Sequence, residues 1–170
     1  RKDIESLRIS LNLLFMFHKA SGLKLNYSKT EILQLGPSPF ISVQPFSLKW
    51  VKERVYAPGT WFYEDENKTI DENFKAKYDK FCATLEHWKA RKLSWFGKIT
   101  VLKSLAIARI NFCVSTLPVP HWFAKDIQDA IINFMWDGKP RKIKSLTAIG
   151  QIYDGGIKLP YIHHYITAQK

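Results

Sequence analysis

Ile4, Leu7, Leu11 and Leu14 recur at steps of three and four, with Phe15 thickening the stripe. That is helical spacing, and Gly22 after Ser21 supplies a stop. The pattern then shortens. A turn around Asn26 leads to a predicted strand at 30–35, which Gly36-Pro37-Ser38-Pro39 breaks. A loop containing Pro45 leads to a second extended stretch at 48–56, interrupted by Pro58-Gly59, and Trp61-Phe62-Tyr63 reads as a short strand.

After Glu64 the period becomes helical throughout. Thr69-Ile70-Asp71-Glu72 reads as a capping box, a hydroxyl at the N-cap with a carboxylate three residues on. Ile70, Phe74, Phe81, Leu85 and Trp88 follow as one stripe. A second helix is predicted over 96–115, with Ile99, Leu102, Ala106, Ile110 and Cys113 on one face and Pro118 and Pro120 ending it. A third runs over 123–136, with Ile127, Ala130, Ile131 and Phe134 aligned and Asp137-Gly138 as its stop. Basic and glycine-rich loops come next, and 161–170 starts a last helix. The break in character near residue 64 divides the chain into a mixed helix-and-strand part, 1–64, and a helical part, 65–170. The fold class is α+β, with the strands of the first part short and antiparallel.

Charge sharpens the picture. Lys plus Arg number 26 against 15 Asp plus Glu, a formal net charge of +11 and a pI near 9.7. Such a chain seeks polyanions, either nucleic acid or an anionic membrane surface, and nucleic acid is favoured over a soluble protein that merely happens to be basic. The apolar run 9–17 is too short to span a bilayer and lacks a cleavage site after it. Cys82 and Cys113 are the two cysteines, far apart, which is no disulfide framework and points to a reducing, intracellular setting. The opening at Arg1 instead of a methionine reads as a piece of something longer.

The cations are not scattered. Between Glu86 and Asp126 no acid occurs, while Lys89, Arg91, Lys92, Lys98, Lys103, Arg109 and Lys125 do. A second block, Lys139, Arg141, Lys142 and Lys144, meets no acid until Asp154. A solvated helix face normally mixes signs, so these runs read as phosphate contacts, which release counterions on binding. Trp88, Trp95, Phe96 and Trp136 are interleaved, but Trp88 and Phe96 sit near core stripes, and the rings are read as core. The acidic clusters 64–66 and 71–72 stand where helices begin and serve the macrodipole. Neither is a two-metal site. No paired Cys/His unit suggests zinc, and no phosphate-loop or nucleophile-elbow motif occurs. No metal site and no small-molecule substrate is predicted.

Several segments, taken in order, resemble one family. Ala20-Ser21-Gly22-Leu23-Lys24-Leu25-Asn26-Tyr27-Ser28-Lys29-Thr30-Glu31, with Phe17 before it, resembles the stretch after the catalytic Asp-Asp motif in reverse transcriptases of LINE-type (non-LTR) retrotransposons, polymerase motif D. Ala57-Pro58-Gly59-Thr60-Trp61-Phe62 is similar to the family's primer-grip turn. Trp88-Lys89 with Leu93-Ser94-Trp95-Phe96-Gly97-Lys98-Ile99-Thr100-Val101-Leu102-Lys103 resembles its thumb signature. Phe134-Met135-Trp136-Asp137-Gly138-Lys139 and Gly155-Gly156-Ile157-Lys158-Leu159-Pro160 resemble two further blocks. Each is weak alone; five in order, spanning nearly the whole chain, are specific.

The resemblance implies that 1–64 is the end of a polymerase palm and 65–170 a helical thumb that holds primer and template, as RNA, DNA or their hybrid. The family's catalytic aspartates would lie upstream, so the chain alone is predicted inactive. It needs no cofactor itself, whereas the parent polymerase uses magnesium. The setting would be cytoplasm and nucleus. By the same resemblance Lys29 is a candidate general acid toward the leaving pyrophosphate; from the residues alone it would be a surface lysine beside a turn that Asn26 shapes. The nucleic-acid contacts would be Lys89, Arg91, Lys92, Lys98, Lys103, Lys139, Arg141, Lys142 and Lys144, and the grip Pro58, Gly59 and Thr60. The family usually carries Leu at the position of Pro58 and Ile or Val at that of Thr60. Single-base transitions would give Leu to Pro and Ile to Thr, as in a decaying copy, and Thr60 would add the cost of a buried hydroxyl unless it finds a partner; the alternative is that Pro58 lies on an edge strand or in the turn itself, where proline is tolerated. The competing class is a stand-alone basic helical module that binds nucleic acid and never belonged to a polymerase.

Overall fold

The computed structural model describes residues 4–35, 45–57 and 59–169. The chain falls into two compact units, Arg1–Ala57 with Phe62–Glu64, and Pro58–Trp61 with Asp65–Lys170. The architecture is α+β.

The first unit opens with α1, Ile4–Ser21, which ends at Gly22 in the left-handed region (φ 76°). A 3₁₀ turn, Tyr27–Lys29, follows. Asn26 caps it: its side-chain oxygen accepts from the Lys29 backbone N–H (3.3 Å) and from the Ser28 hydroxyl (2.7 Å). β1, Glu31–Leu33, pairs with β2, Lys49–Val51. The pairing corrects the sequence expectation of antiparallel strands, because β1 and β2 run parallel, in the register Glu31↔Lys49, Ile32↔Trp50 and Leu33↔Val51. Fifteen residues, 34–48, separate them in sequence, a length that a parallel connection requires. Glu31 and Lys49, opposite in register, also form an ion pair. β3, Arg54–Ala57, and β4, Thr60–Tyr63, form a second two-stranded sheet. Only two residues connect them, a length that antiparallel strands allow.

The second unit is a helical bundle. α2 spans Glu66–Lys89. It begins one turn before the predicted capping box, because the Asp65 carboxylate accepts from the Asn67 N–H (2.9 Å) and takes the N-cap role. Thr69 lies inside the helix, its hydroxyl donating to the Asp65 carbonyl (3.1 Å). Trp95–Thr116 is one long helix in three parts: α3, Trp95–Val101; a π turn, Leu102–Ala106; and α4, Ile107–Thr116. Ser94 caps it, accepting from the Gly97 N–H (3.2 Å). The π turn is read from the burial pattern. Lys98, Ile99, Val101 and Leu102 face inward, and so do Ala106, Ile107, Ile110, Cys113 and Val114. Val101 to Ala106 and Leu102 to Ile107 are steps of five, which an unbroken α-helix would place on different faces. The extra residue restores the stripe and turns Leu105, Arg109 and Phe112 outward. This long helix has the length and hydropathy of a membrane span, with 44% of its most apolar stretch buried in the protein.

α5, His121–Trp136, stops where Asp137 (φ 53°) and Gly138 (φ 75°) turn left-handed. α6, Ser145–Ile149, lies in what the sequence presented as loop, and α7, Ile162–Gln169, closes the unit. One apolar core joins these helices, centred on Phe74, Phe81, Leu102, Ile110, Phe123, Ile127, Ile131 and Ile162, all at most 2% exposed. The rings of Phe74 and Phe123 meet edge to face at 4.7 Å. A polar clasp holds Trp61 to α2: buried Asn73 accepts from the Trp61 N–H (3.0 Å) and donates to the carbonyls of Trp61 (2.6 Å) and Thr69 (2.7 Å).

Candidate nucleic-acid interface

The predicted cations divide by what surrounds them. Arg91, Lys92, Lys103, Lys139, Arg141, Lys142 and Lys144 are exposed. Arg91 is held over the Trp88 ring, 4.4 Å from its centroid, with a nitrogen 3.3 Å from His87 Nε2. A guanidinium stacked on indole keeps its charge and loses some of its freedom. Arg141 donates to Ser145 Oγ (2.6 Å), which fixes the cationic loop to the start of α6. Lys89 is half-buried, 3.5 Å from Glu86, and lines a groove of about 340 Å³ between α2 and α5. Glu86, Asp126 and Asp129 also line that groove, so its charge opposes a phosphate backbone.

Lys98 needs a correction. The sequence places it among the phosphate contacts; in the structure it is 8% exposed and points inward. Its ammonium donates to the Met135 carbonyl (3.1 Å) and to Asp137 Oδ1 (2.7 Å), and it stands 5.6 Å from the centre of the Phe134 ring. The physical reason is the end of α5. The last turn of a helix leaves carbonyls without intrahelical partners and carries partial negative charge. A lysine one turn into α3 satisfies it, and Asp137 completes the neutralisation.

This clasp has a geometric consequence. It ties the beginning of α3 to the end of α5, and the rings of Trp95 and Trp136 meet there edge to face at 5.3 Å. The loop before α3 carries Arg91 and Lys92; the loop after α5 carries Lys139, Arg141, Lys142 and Lys144. Two acid-free cationic runs about forty residues apart in sequence therefore leave the bundle at one end. Lys103 sits in the π turn and stands apart from that end.

The remaining candidates lie elsewhere. Lys29 is exposed on the turn that Asn26 caps. Pro58 lies outside the described residues. Gly59 adopts φ 85°, and a Cβ there would meet Phe112 at 3.6 Å. Thr60 is fully buried, and among the described residues its hydroxyl has no hydrogen-bond partner. Trp136 Nε1 is likewise buried without a partner among the described residues. The thiols are poor nucleophiles: burial pushes Cys113 up to about 11, and burial raises Cys82 above its ordinary value despite a hydrogen bond with Tyr78. Burial, with Cys82 next, pushes Tyr78 up to about 12. Among the described residues no group of three or more His, Cys, Asp or Glu has the arrangement to hold a metal ion.

The sequence missed Asn73 and the inward turn of Lys98. Asn73 follows Thr69 by four residues on α2, yet nothing in a lone Asn announces a partner strand. For Lys98, the buried Leu102 four residues on was a usable signal, since residues four apart share one face of a helix. No protein-family model matches the chain.

Proposed function

We propose that this chain is the palm-to-thumb piece of a LINE-type reverse transcriptase and that its part is to grip the primer–template duplex. The observation that carries the reading is the convergence of two cationic runs at the α3–α5 end of the bundle, each without an acid of its own. Lysines and arginines placed this way contact phosphates irrespective of base sequence. The resemblance supplies the rest: the thumb-like segment 88–103 and the block 134–139 are the two that Lys98–Asp137 and Trp95–Trp136 bring together. Lys29, exposed on its capped turn, is the proposed proton donor to the leaving group in the full polymerase. No catalytic step is assigned to this chain alone.

The test has two arms. The pure protein should bind an RNA–DNA hybrid with log K falling linearly in log salt and with little dependence on sequence. With magnesium and labelled nucleotide it should not extend a primer. Salt-independent binding would remove the electrostatic basis of the reading, and extension would show that the chemistry resides here. The closed core of the helical unit also favours a second reading, a stand-alone nucleic-acid-binding module. An in-frame strand-turn-strand carrying Asp-Asp just upstream in the coding sequence decides for the polymerase.

A further inference from the structure

Residues 145–159 form a compact knuckle. α6 leads into Gly150, a 3₁₀ turn, Ile152–Asp154, and a left-handed Gly155 (φ 77°) that sends the chain back over α6. The return is tightly bonded: Gly156 N–H donates to Gln151 (2.8 Å), Ile157 N–H to Ala148 (3.2 Å), Lys158 N–H to Gly150 (3.0 Å) and Leu159 N–H to Ala148 (2.9 Å), each at a carbonyl. The two backbones touch. A Cβ on Gly156 would stand 2.1 Å from the Gly150 carbonyl oxygen, so only glycine fits. The underside is anchored, since Ala148 and Leu159 belong to the core.

Leu146 and Tyr153 are each 84% exposed, the highest values among the described large apolar side chains, and Ile152, next to Tyr153 in the chain, is 52% exposed. A rigid support thus presents bare apolar groups to solvent. Patches of this kind mark interaction sites. Their surroundings choose the occupant. From Gly138 to Tyr153 there is no acid, while Lys139, Arg141, Lys142 and Lys144 are there; exposed Asp154 is the one acid of the knuckle, and Lys158 follows on the return. Arg141 is bonded to Ser145 at the base of the knuckle. A partner must offer negative charge next to an apolar face. Unpaired bases at the end of a duplex do so: the ring faces are apolar and the phosphates lie one bond network away.

We propose that the knuckle is an apolar wedge in which Tyr153 stacks on an unpaired base at a duplex end, with Leu146 and Ile152 packing beside it and the neighbouring cations holding the phosphates. The proposal rests on the nucleic-acid reading above and adds a preference for ends that carry unpaired nucleotides.

The experiment compares the wild-type chain with Leu146→Ser combined with Tyr153→Ser, both surface changes, after thermal melting by circular dichroism shows equal midpoints. The probes are one hybrid duplex, either blunt or with a single-stranded overhang, and vesicles containing phosphatidylserine. The wild type should favour the overhang. The variant should lose about tenfold on the overhang, the size one aromatic–base stack supplies, and little on the blunt duplex, with an unchanged salt slope because no phosphate contact is removed. If the variant binds both duplexes as the wild type does, with the salt slope intact, the wedge is wrong and the grip survives. If the variant loses only vesicle binding, the knuckle is a membrane contact and the wedge is wrong. If the wild type shows no salt-dependent binding to either duplex, the grip fails and the wedge with it.

Discussion

α1 and α2 carry the same kind of pattern and meet opposite fates. In α2, Phe74, Phe81 and Leu85 fall on one stripe and are at most 4% exposed. In α1 the stripe of Ile4, Leu7, Leu11, Leu14 and Phe15 is equally regular, yet the helix has no buried residue, and Leu14 and Phe15 are 44% and 53% exposed. Periodicity fixes which face is apolar. Whether that face is covered depends on partners that the period does not encode. α2 has α4 and α5 against it, whereas Leu48 is the one buried hydrophobic residue among the described residues of the first unit. The two helices therefore differ in energy far more than in sequence pattern.

The sharpest way to break the comparison is a matched pair of truncations. Phe123→Ala should cost about 3–5 kcal/mol, through lost burial and a cavity facing Phe74, read as a fall in the denaturant midpoint. Leu14→Ala should stay within about 0.5 kcal/mol, as an exposed site does. Similar losses at both would mean that α1 is packed in solution. A smaller effect separates buried from exposed cations in the same way. Lys98→Met should cost roughly 2 kcal/mol, in the range for a hydrogen bond to a charged group, whereas Lys92→Met should be nearly neutral in the same melt. An equally neutral Lys98→Met would return Lys98 to the surface.

Thr60 sharpens the contrast from the other side, being buried with no hydrogen-bond partner for its hydroxyl among the described residues. Thr60→Val removes the partnerless hydroxyl and keeps the shape, so stability should rise by about 1 kcal/mol in the denaturant midpoint. No rise would mean that the hydroxyl finds a partner. The least effect to measure is the pH dependence. The Cys113 thiol has its pKa raised from 9.0 to about 11 by burial. The unfolded chain gives up this proton first and so binds fewer protons over that interval. Stability of the helical unit should fall as pH rises from 9 toward 11. Cys113→Ala should flatten that part of the profile; an unaltered profile would assign the decline to other groups such as Tyr78.

The helices were legible because each has a stripe long enough to fix its period, and the stops were legible because Gly22 and Asp137-Gly138 take left-handed conformations at helix ends. The π turn was hidden, although steps of five from Val101 to Ala106 and from Leu102 to Ile107 record it. The knuckle was hidden because its order rests on a glycine-to-glycine backbone approach and on main-chain hydrogen bonds, neither of which leaves an apolar period. The parallel pairing of β1 and β2 was hidden because three-residue strands carry no directional signal. For the candidate interface, the sequence identified the cationic runs but not their meeting, which depends on Lys98 turning inward to close the end of α5. The missing signs in a list of charges are the directions in which they point.

The central claim is that the cations gathered at the α3–α5 end grip phosphate. The direct measurement is the salt dependence of binding to an RNA–DNA hybrid by the wild-type chain and by a variant with Arg91, Lys92, Lys139, Lys142 and Lys144 all replaced by Gln. Lys75→Gln with Lys80→Gln, on the exposed side of α2, serves as the control. The account predicts that the slope of log K against log salt shallows by roughly 0.9 for each phosphate contact removed, about four units if most of the five make contact, and that the control keeps the wild-type slope. Equal slopes for all three proteins would contradict it.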